Sequence, residues 1–100
     1  MTFFVVLRRS GPEWHSGVPL EQQTGWDGHA AFMDKLVADG IVMLGGPLTN
    51  DESRALLVVQ GADEAAVRRV LADDPWHESH LVVDSVDAWT IRLDGLGALS

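Results

Sequence analysis

Cysteine is absent from this sequence and basic residues are scarce, and each scarcity argues against a class of protein. Without cysteine there are no disulfide bonds, thiol nucleophiles or thiolate metal sites, which suits the reducing cytoplasm. Seven Lys and Arg residues against fifteen Asp and Glu give a formal net charge of -8, which opposes binding to phosphate backbones and anionic lipid. We therefore expect neither nucleic acid nor a membrane as a partner.

Long apolar runs and cofactor-binding motifs are also missing. No stretch approaches the roughly eighteen apolar residues of a transmembrane helix, and the opening segment "MTFFVVLRRS" lacks the basic region and the cleavage site of a secretory signal. We expect a cytoplasmic location. A glycine-rich dinucleotide fingerprint, a phosphate loop and a nucleophile elbow are absent as well, so no cofactor is expected.

What the sequence does contain is typical of one small globular domain. The chain has 100 residues, of which 46% are hydrophobic, and this suffices for a single core. The prediction is one domain over residues 1–100, with a core over 2–93, a long irregular loop over 10–24 and a short tail over 94–100. Loops of that length in a compact domain are often functional.

Hydrophobic periodicity predicts four strands and two helices in the order β-α-β-β-α-β. Short runs rich in branched and aromatic residues predict the strands, and apolar residues at helical spacing predict the helices. The strands are predicted over 2–9, 41–48, 54–60 and 81–93, with an irregularity over 84–87, and the helices over 25–39 and 63–73. Asp63 is the predicted N-cap of the second helix, and Gly40 the stop of the first. This order predicts an α+β fold of the ferredoxin-like type, an antiparallel four-stranded sheet with both helices on one face.

The predicted strands are apolar on both faces. The runs "FFVVL", "IVML" and "ALLVV" do not alternate as the strands of a half-solvated antiparallel sheet do. Two helices cover only one face, and the other apolar face would exceed the roughly 300 to 600 Å² patch that is normal for a monomer. We therefore predict a symmetric homodimer, packed sheet to sheet and burying on the order of 1,600 Å².

Two titratable residues occupy positions where the helical pattern calls for an apolar side chain. His29 lies one turn before Phe32 and Met33 on the buried stripe of the first helix. Asp74 lies seven residues after Val67, on the apolar stripe of the second helix. Since both helices pack on the same sheet face, the two side chains are predicted to meet. A carboxylate beside a histidine fixes the ring tautomer and supports proton transfer near neutral pH.

A purely structural explanation of the same two residues is open, and from spacing alone it is the more common one. Buried polar residues mostly serve the fold rather than a reaction. His29 would then be a core histidine with its hydrogen bonds satisfied. Asp74 would bond the local backbone ahead of Pro75, because Asp-Pro often starts a turn.

Further residues are candidates for substrate binding. Gly45, Gly46 and Pro47 leave space beside the sheet and predict a pocket floor, although a bulge or a strand end is the commoner explanation. Trp76 either walls the pocket and helps to exclude water, or belongs to the core. Arg8 either binds an anionic substrate or is an exposed residue at a strand end.

A metal site is not predicted. His77 and His80 are three residues apart, and together with His15 they are potential ligands. No carboxylate at a known metal-binding spacing accompanies them, so we expect no metal.

Three segments together resemble the YCII-related, or YciI-like, family of the dimeric α+β barrel superfamily. They are "HAAFMDKLVADG", "LGGPL" and "LADDPW", and their order and spacing match over residues 3–93. The resemblance implies a dimer of ferredoxin-like subunits, in which a helix-1 histidine and the aspartate of an Asp-Pro-aromatic motif line the active site. Those roles fall on His29 and Asp74. The resemblance does not extend to the loop over 10–24.

One branch of that family is similar to dehydrochlorinases of aromatic hydroquinone degradation, which work without a redox cofactor. We therefore expect a cofactor-independent lyase or isomerase for a small cyclic or aromatic molecule, with His29 as general base or acid and Asp74 orienting it. A non-catalytic module of the same dimeric fold, which binds a small ligand or a partner, is the alternative. A cofactor-free oxygenase is a third interpretation of the same architecture.

Overall fold

The computed structural model describes residues 2–97 of the chain. Met1 and residues 98–100 lie outside the described residues, so the predicted single domain over 1–100 and the predicted tail over 94–100 are described only in part.

Four strands and two helices follow one another in the predicted order β-α-β-β-α-β. They are β1 (Thr2–Ser10), α1 (Trp26–Ala38), β2 (Val42–Leu48), β3 (Asp51–Gly61), α2 (Glu64–Leu71) and β4 (Leu81–Trp89). Neighbouring strands are antiparallel, and the sheet order is β2-β3-β1-β4. The prediction of an α+β domain with a four-stranded antiparallel sheet and two helices is confirmed.

Several boundaries differ from the predicted ones. β3 begins at Asp51 rather than at residue 54, because Asp51 already pairs with Leu48 across a two-residue turn. β4 ends at Trp89 rather than at residue 93, since Trp89 pairs with Phe3 near the start of β1 and the chain beyond it has no adjacent strand. The loop over 10–24 contains a short 3₁₀ helix, Leu20–Gln22.

The helix ends follow the predicted signals. The Asp63 side chain accepts a hydrogen bond of 2.8 Å from the Ala66 N–H, as an N-cap does. Gly40 has a φ of 75°, the left-handed conformation that ends α1. α2 ends at Leu71, two residues earlier than predicted, and a turn continues to Asp74, whose N–H bonds the Leu71 carbonyl at 3.1 Å.

A register shift between β1 and β4 confirms the predicted irregularity. Leu7 pairs with Ser85 and Arg8 pairs with Val83, so Asp84 is the extra residue of a bulge. Because of this extra residue, Val86 on one side of the bulge pairs with Val6, and Val83 on its other side pairs with Arg8, so both point to the same face of the sheet. Leu81 therefore lies near Arg8.

Both helices pack on one side of the sheet, which we call the covered face. Side chains of the two helices and of all four strands form one buried cluster there: Phe4, Val6, Leu36, Val42, Leu57, Val59, Val67, Leu71 and Val86. Burial of this apolar area is the main favourable contribution to folding.

The other side of the sheet, which we call the open face, carries the alternate residues of the strands. Val5 pairs with Val58, and Leu7 pairs with Leu56, so the part of this face formed by β1 and β3 is apolar. Leu44 and Leu56 are 46% and 38% exposed. The prediction that the first three strands are apolar on both faces is confirmed, whereas β4 places Asp87 and Ser85 on the open face, opposite Val5 and Leu7.

Candidate functional site

The candidate site lies at one end of the covered face, where β1, α1 and the turn after α2 converge. Arg8 follows Phe4 and Val6 in the alternation of β1, so its side chain points to the same side as theirs. His29 lies in the second turn of α1, and Asp74 in the turn that continues from α2. All three are buried, with exposed fractions of 2% for Arg8, 7% for His29 and 4% for Asp74.

The Asp74 carboxylate is the centre of this group. His29 Nδ1 lies 2.9 Å from both Oδ1 and Oδ2. Arg8 Nη1 donates to Oδ2 at 2.8 Å, and the Trp76 N–H donates to Oδ1 at 2.8 Å. The predicted meeting of His29 and Asp74 is therefore confirmed, and Asp74 also bonds the local backbone as the structural explanation required.

Asp74 is held as a carboxylate. Burial alone would raise the pKa of its carboxyl group, but the hydrogen bonds from His29 and the Trp76 N–H, together with the charge and hydrogen bond of Arg8, outweigh burial and lower that pKa below its ordinary value. An ionised carboxylate only accepts hydrogen bonds. His29 Nδ1 is therefore the protonated nitrogen that donates to it, and Nε2 is left to act as an acceptor or base.

A cavity of about 600 Å³ opens beside His29. Most of its wall is apolar, with contributions from α1, from β2 and from Leu57. His29 Nε2 has no hydrogen-bond partner within residues 2–97. It is not one of the buried polar atoms without a partner, so this nitrogen is accessible.

The glycine-proline segment of β2 lines the same cavity. Gly45, Gly46 and Pro47 all belong to its wall. A Cβ atom on Gly45 would lie 2.5 Å from Leu57 Cδ2, whereas one on Gly46 would meet nothing within 4 Å. The missing side chain of Gly45 therefore makes room for the side chain of Leu57, which lines the same cavity.

Arg8 and Trp76 lie beside the pair without lining the cavity in the described part of the chain. The Arg8 guanidinium binds Asp74 and donates from Nη2 to the Leu81 carbonyl at 2.7 Å, while its Nε is buried without a partner among residues 2–97. The alternative of an exposed strand-end arginine is thus wrong, because Arg8 points to the covered face. A contact of Arg8 with an anionic substrate stays a prediction, and its two Nη atoms are already bonded within the chain.

Trp76 supports the His29 ring from one side. The two rings are stacked, with centroids 4.2 Å apart and planes at 9°. His80 also stacks on Trp76, at 4.7 Å and 16°. Burial, helped by the nearby His15 and His29 and opposed by Glu13, lowers the pKa of His80, so this ring favours its neutral form.

Residues of the long loop complete the surroundings of the site. Trp76 Nε1 donates to the Thr24 carbonyl at 2.9 Å, and the Thr24 hydroxyl lies 2.8 Å from His80 Nε2. Gln23 is buried and connects two parts of the loop. Its Nε2 donates to the carbonyls of His15 and Val18, and its Oε1 accepts from the His15 N–H. The loop is therefore held by its own hydrogen bonds where Leu20 and Glu21 line the cavity.

A second cavity, of about 460 Å³, lies between this loop and the β2–β3 turn. It is polar and shares Glu52 with the cavity beside His29. Glu52 Oε1 accepts a hydrogen bond of 3.2 Å from the Leu20 N–H, which connects the hairpin to the loop.

Sequence reasoning missed Gln23, Thr24 and His80 as parts of the site. The loop has no period that would indicate the contacts of Gln23 with its own loop, and the contacts of Thr24 with Trp76 and His80 join residues that are far apart in sequence. Trp26 was also missed, although it lies three residues before His29 on the same helix, and its ring centroid is 5.7 Å from that of His29.

Residues 2–97 contain neither a metal-ligand cluster nor a membrane-spanning helix. No group of three or more His, Cys, Asp or Glu residues there is arranged to hold a metal ion. Within the same residues, neither helix has the length and apolar character needed to cross a bilayer.

Among known proteins, no family model matches the chain, and no curated protein matches it.

Proposed function

We propose that the protein is a cofactor-independent enzyme that carries out acid-base chemistry, of the lyase or isomerase type, on a small cyclic or aromatic molecule. The observation that carries the proposal is a buried His29–Asp74 pair whose free imidazole nitrogen lies at the wall of an apolar cavity. Pockets of this kind, with few polar groups in a mostly apolar wall, are typical of small-molecule sites.

The chemistry assigned to His29 is the transfer of one proton. Nδ1–H donates to Asp74, so the lone pair of Nε2 accepts a proton from a C–H or O–H group of the substrate. In an isomerisation the imidazolium returns that proton to another atom of the substrate. In an elimination the electron pair left behind expels a leaving group, and the imidazolium later releases its proton to water.

Asp74 and Arg8 have a positioning role in this mechanism. Asp74 fixes the ring tautomer and stabilises the imidazolium, since its carboxylate lies 2.9 Å from Nδ1. Arg8, on β1, in turn fixes the carboxylate. Trp76, stacked on the ring, limits rotation of His29 and keeps water from that side.

The proposal includes a homodimer of ferredoxin-like subunits and membership of the YCII-related family. The strand order β2-β3-β1-β4 and the packing of both helices on one face support the ferredoxin-like arrangement. The apolar open face, with Leu44 and Leu56 exposed, supports a second subunit packed against it. The three segments that resemble the family contain His29, Gly45 and Asp74, which meet around the site.

The test measures proton exchange with and without His29. Small phenols and cyclic ketones are incubated with the protein in D₂O, and deuterium incorporation at carbon or product formation is followed by NMR. A general acid or base contributes a factor of about 10² to 10⁴ in rate, so His29→Ala should lose at least about 10². The control His15→Ala removes an exposed imidazole outside the cavity and should keep the wild-type rate. Equal rates for His29→Ala and the wild type would eliminate the assignment.

The alternative is a non-catalytic module that binds a small ligand in the same cavity. The stacking of His29 on Trp76 favours this candidate, because it is a structural contact. The melting temperature of His29→Ala separates the two candidates. Asp74 keeps Arg8 and the Trp76 N–H as partners in this variant. If His29 is catalytic, the melting temperature should therefore stay the same or rise. A loss of several degrees would identify His29 as structural.

A further inference from the structure

The charges around the cavity beside His29 are of one sign. Three carboxylate side chains line it, those of Glu21, Asp34 and Glu52, and all three residues are exposed. None of them forms an ion pair with another residue of the described part of the chain. Within residues 2–97, their negative charges are therefore not compensated by an ion pair.

Positive groups are kept away from the same cavity. Among residues 2–97 no lysine or arginine lines it. Arg8 is behind His29 and paired with Asp74 at 2.8 Å. Arg54 neighbours Ala55, which does line the cavity, but Arg54 itself is not part of the cavity wall.

The position of one carboxylate is fixed by the fold. Glu52 Oε1 accepts the Leu20 N–H at 3.2 Å, which holds it between the hairpin and the loop at the edge of the cavity. Trp26, on the wall of the same cavity, adds an aromatic ring, a group that attracts cations to its face.

We propose that this cavity selects small aromatic or cyclic molecules that are neutral or positively charged, and that it rejects carboxylates, phosphates and other anions. The inference rests on the proposed function in taking this cavity as the substrate site. It goes further by assigning the charge class of the substrate and by naming Glu21, Asp34 and Glu52 as the residues that determine it.

Three probes with one ring and different charges test the proposal: benzylammonium, benzyl alcohol and benzoate. Binding is followed by the NMR shifts of the Gly45 and Gly46 amides, which lie in the cavity wall. A carboxylate several ångströms from a ligand charge in water changes affinity by a factor of about two to three. Three carboxylates together should favour benzylammonium over benzyl alcohol on the order of tenfold, and benzyl alcohol over benzoate by a similar factor. About 1 M salt, which shortens the Debye length to about 3 Å, should reduce this ratio.

A triple variant and a matched control identify the residues responsible. Glu21→Gln, Asp34→Asn and Glu52→Gln keep the shape of the side chains, and the amide oxygen introduced by Glu52→Gln can still accept the Leu20 N–H. The ratio of benzylammonium to benzoate affinity should fall to about one in this triple variant. The control, which removes three carboxylates that do not line the cavity, should keep the wild-type ratio: Glu64→Gln, Asp73→Asn and Glu78→Gln.

The outcomes separate this inference from the proposed function. Benzoate binding as tightly as benzylammonium, or no shift of either glycine amide with any probe, would overturn the inference. The expected order of affinities without His29-dependent proton exchange would refute the proposed function and leave the charge selection standing. His29-dependent proton exchange on anionic substrates alone would refute the charge selection and leave the proposed function standing.

Discussion

On its covered face the sheet buries the charged residue Arg8, while on its open face it exposes Leu44 and Leu56. Each face departs from the usual distribution, in which arginine is almost never fully buried unless it is paired, and monomers rarely expose large contiguous apolar patches. The departure on the covered face is balanced inside the chain, because Asp74 pairs with Arg8. The departure on the open face has no comparable balance within residues 2–97, which is why we propose a second subunit there.

The largest expected effect comes from breaking the charge balance of the covered face. Asp74→Leu leaves Arg8 buried without its carboxylate, and removal of one partner of a buried pair costs about 3–5 kcal/mol. Urea denaturation measures this loss in the free energy of unfolding. The neighbouring exposed change Asp73→Leu should cost no more than about 0.5 kcal/mol.

A compensating variant sharpens that result. Arg8→Met combined with Asp74→Leu removes both charges, and apolar replacement of a buried pair is often neutral or stabilising. Recovery of part of the lost stability is expected in the double variant, because the unpaired charge is gone while His29 Nδ1 and the Trp76 N–H still lack their acceptor. If the double variant is as unstable as Asp74→Leu, the unpaired charge is not the cause of the loss.

The open face is tested by a charge in its centre. Leu56→Lys places like charges opposite each other in a symmetric sheet-to-sheet dimer, which costs several kcal/mol of association. Sedimentation equilibrium should therefore find a dimer for the wild type and a monomer for Leu56→Lys. Ala65→Lys, an exposed change on α2, is the control and should stay dimeric. A monomeric wild type at micromolar concentration would contradict the proposed dimer.

Asp74, on the covered face, makes the free energy of unfolding depend on pH. The folded state lowers the pKa of Asp74 below the ordinary 3.8, so it binds fewer protons there than the unfolded state does. The stabilisation is complete above the unfolded pKa and is lost as the pH falls through the folded one. The stability difference between wild type and Asp74→Asn should shrink as the pH falls below about pH 4. A difference that grows with acidity would give the opposite sign and refute the ionised Asp74.

The smallest effects come from two adjacent glycines of β2 that belong to opposite faces. Gly45 pairs with Leu57 of the covered face, and Gly46 with Leu56 of the open face. Gly45→Ala should push Leu57 aside and weaken ligand binding in the cavity by a few-fold, with a stability change within about 1 kcal/mol. Gly46→Ala meets no atom within 4 Å and should gain up to about 0.5–1 kcal/mol from the lower entropy of the unfolded chain. Equal binding by both variants would argue against the cavity as the ligand site.

The sequence predicted the elements and the central pair because both follow from periodicity. Helical spacing alone indicated that His29 and Asp74 point to the covered face, and the antiparallel sheet brought them together. The alternation that buries Phe4 and Val6 also buries Arg8, but strand-end arginines are usually exposed. The decisive fact, an available carboxylate at 2.8 Å, is a long-range contact that spacing does not contain.

The loop was less predictable than the helices and strands. Its glycines and prolines indicated irregular backbone, but not how that backbone is satisfied. Gln23 and the contact of Thr24 with Trp76 depend on tertiary packing. The same holds for the end of β4, which is set by where β1 begins rather than by the residues 90–93 themselves.

The internal hydrogen bonds of Gln23 have a consequence for the kinetics of ligand entry. Ordering one residue of backbone costs roughly 1–2 kcal/mol in entropy. The hydrogen bonds of Gln23 order the loop beside Leu20 and Glu21 when the chain folds, so this entropy is lost before a ligand arrives. An arriving molecule encounters a wall that is already arranged and need not wait for a segment to close over it. Association should therefore depend on diffusion and orientation, and selectivity should be expressed in how long each ligand stays.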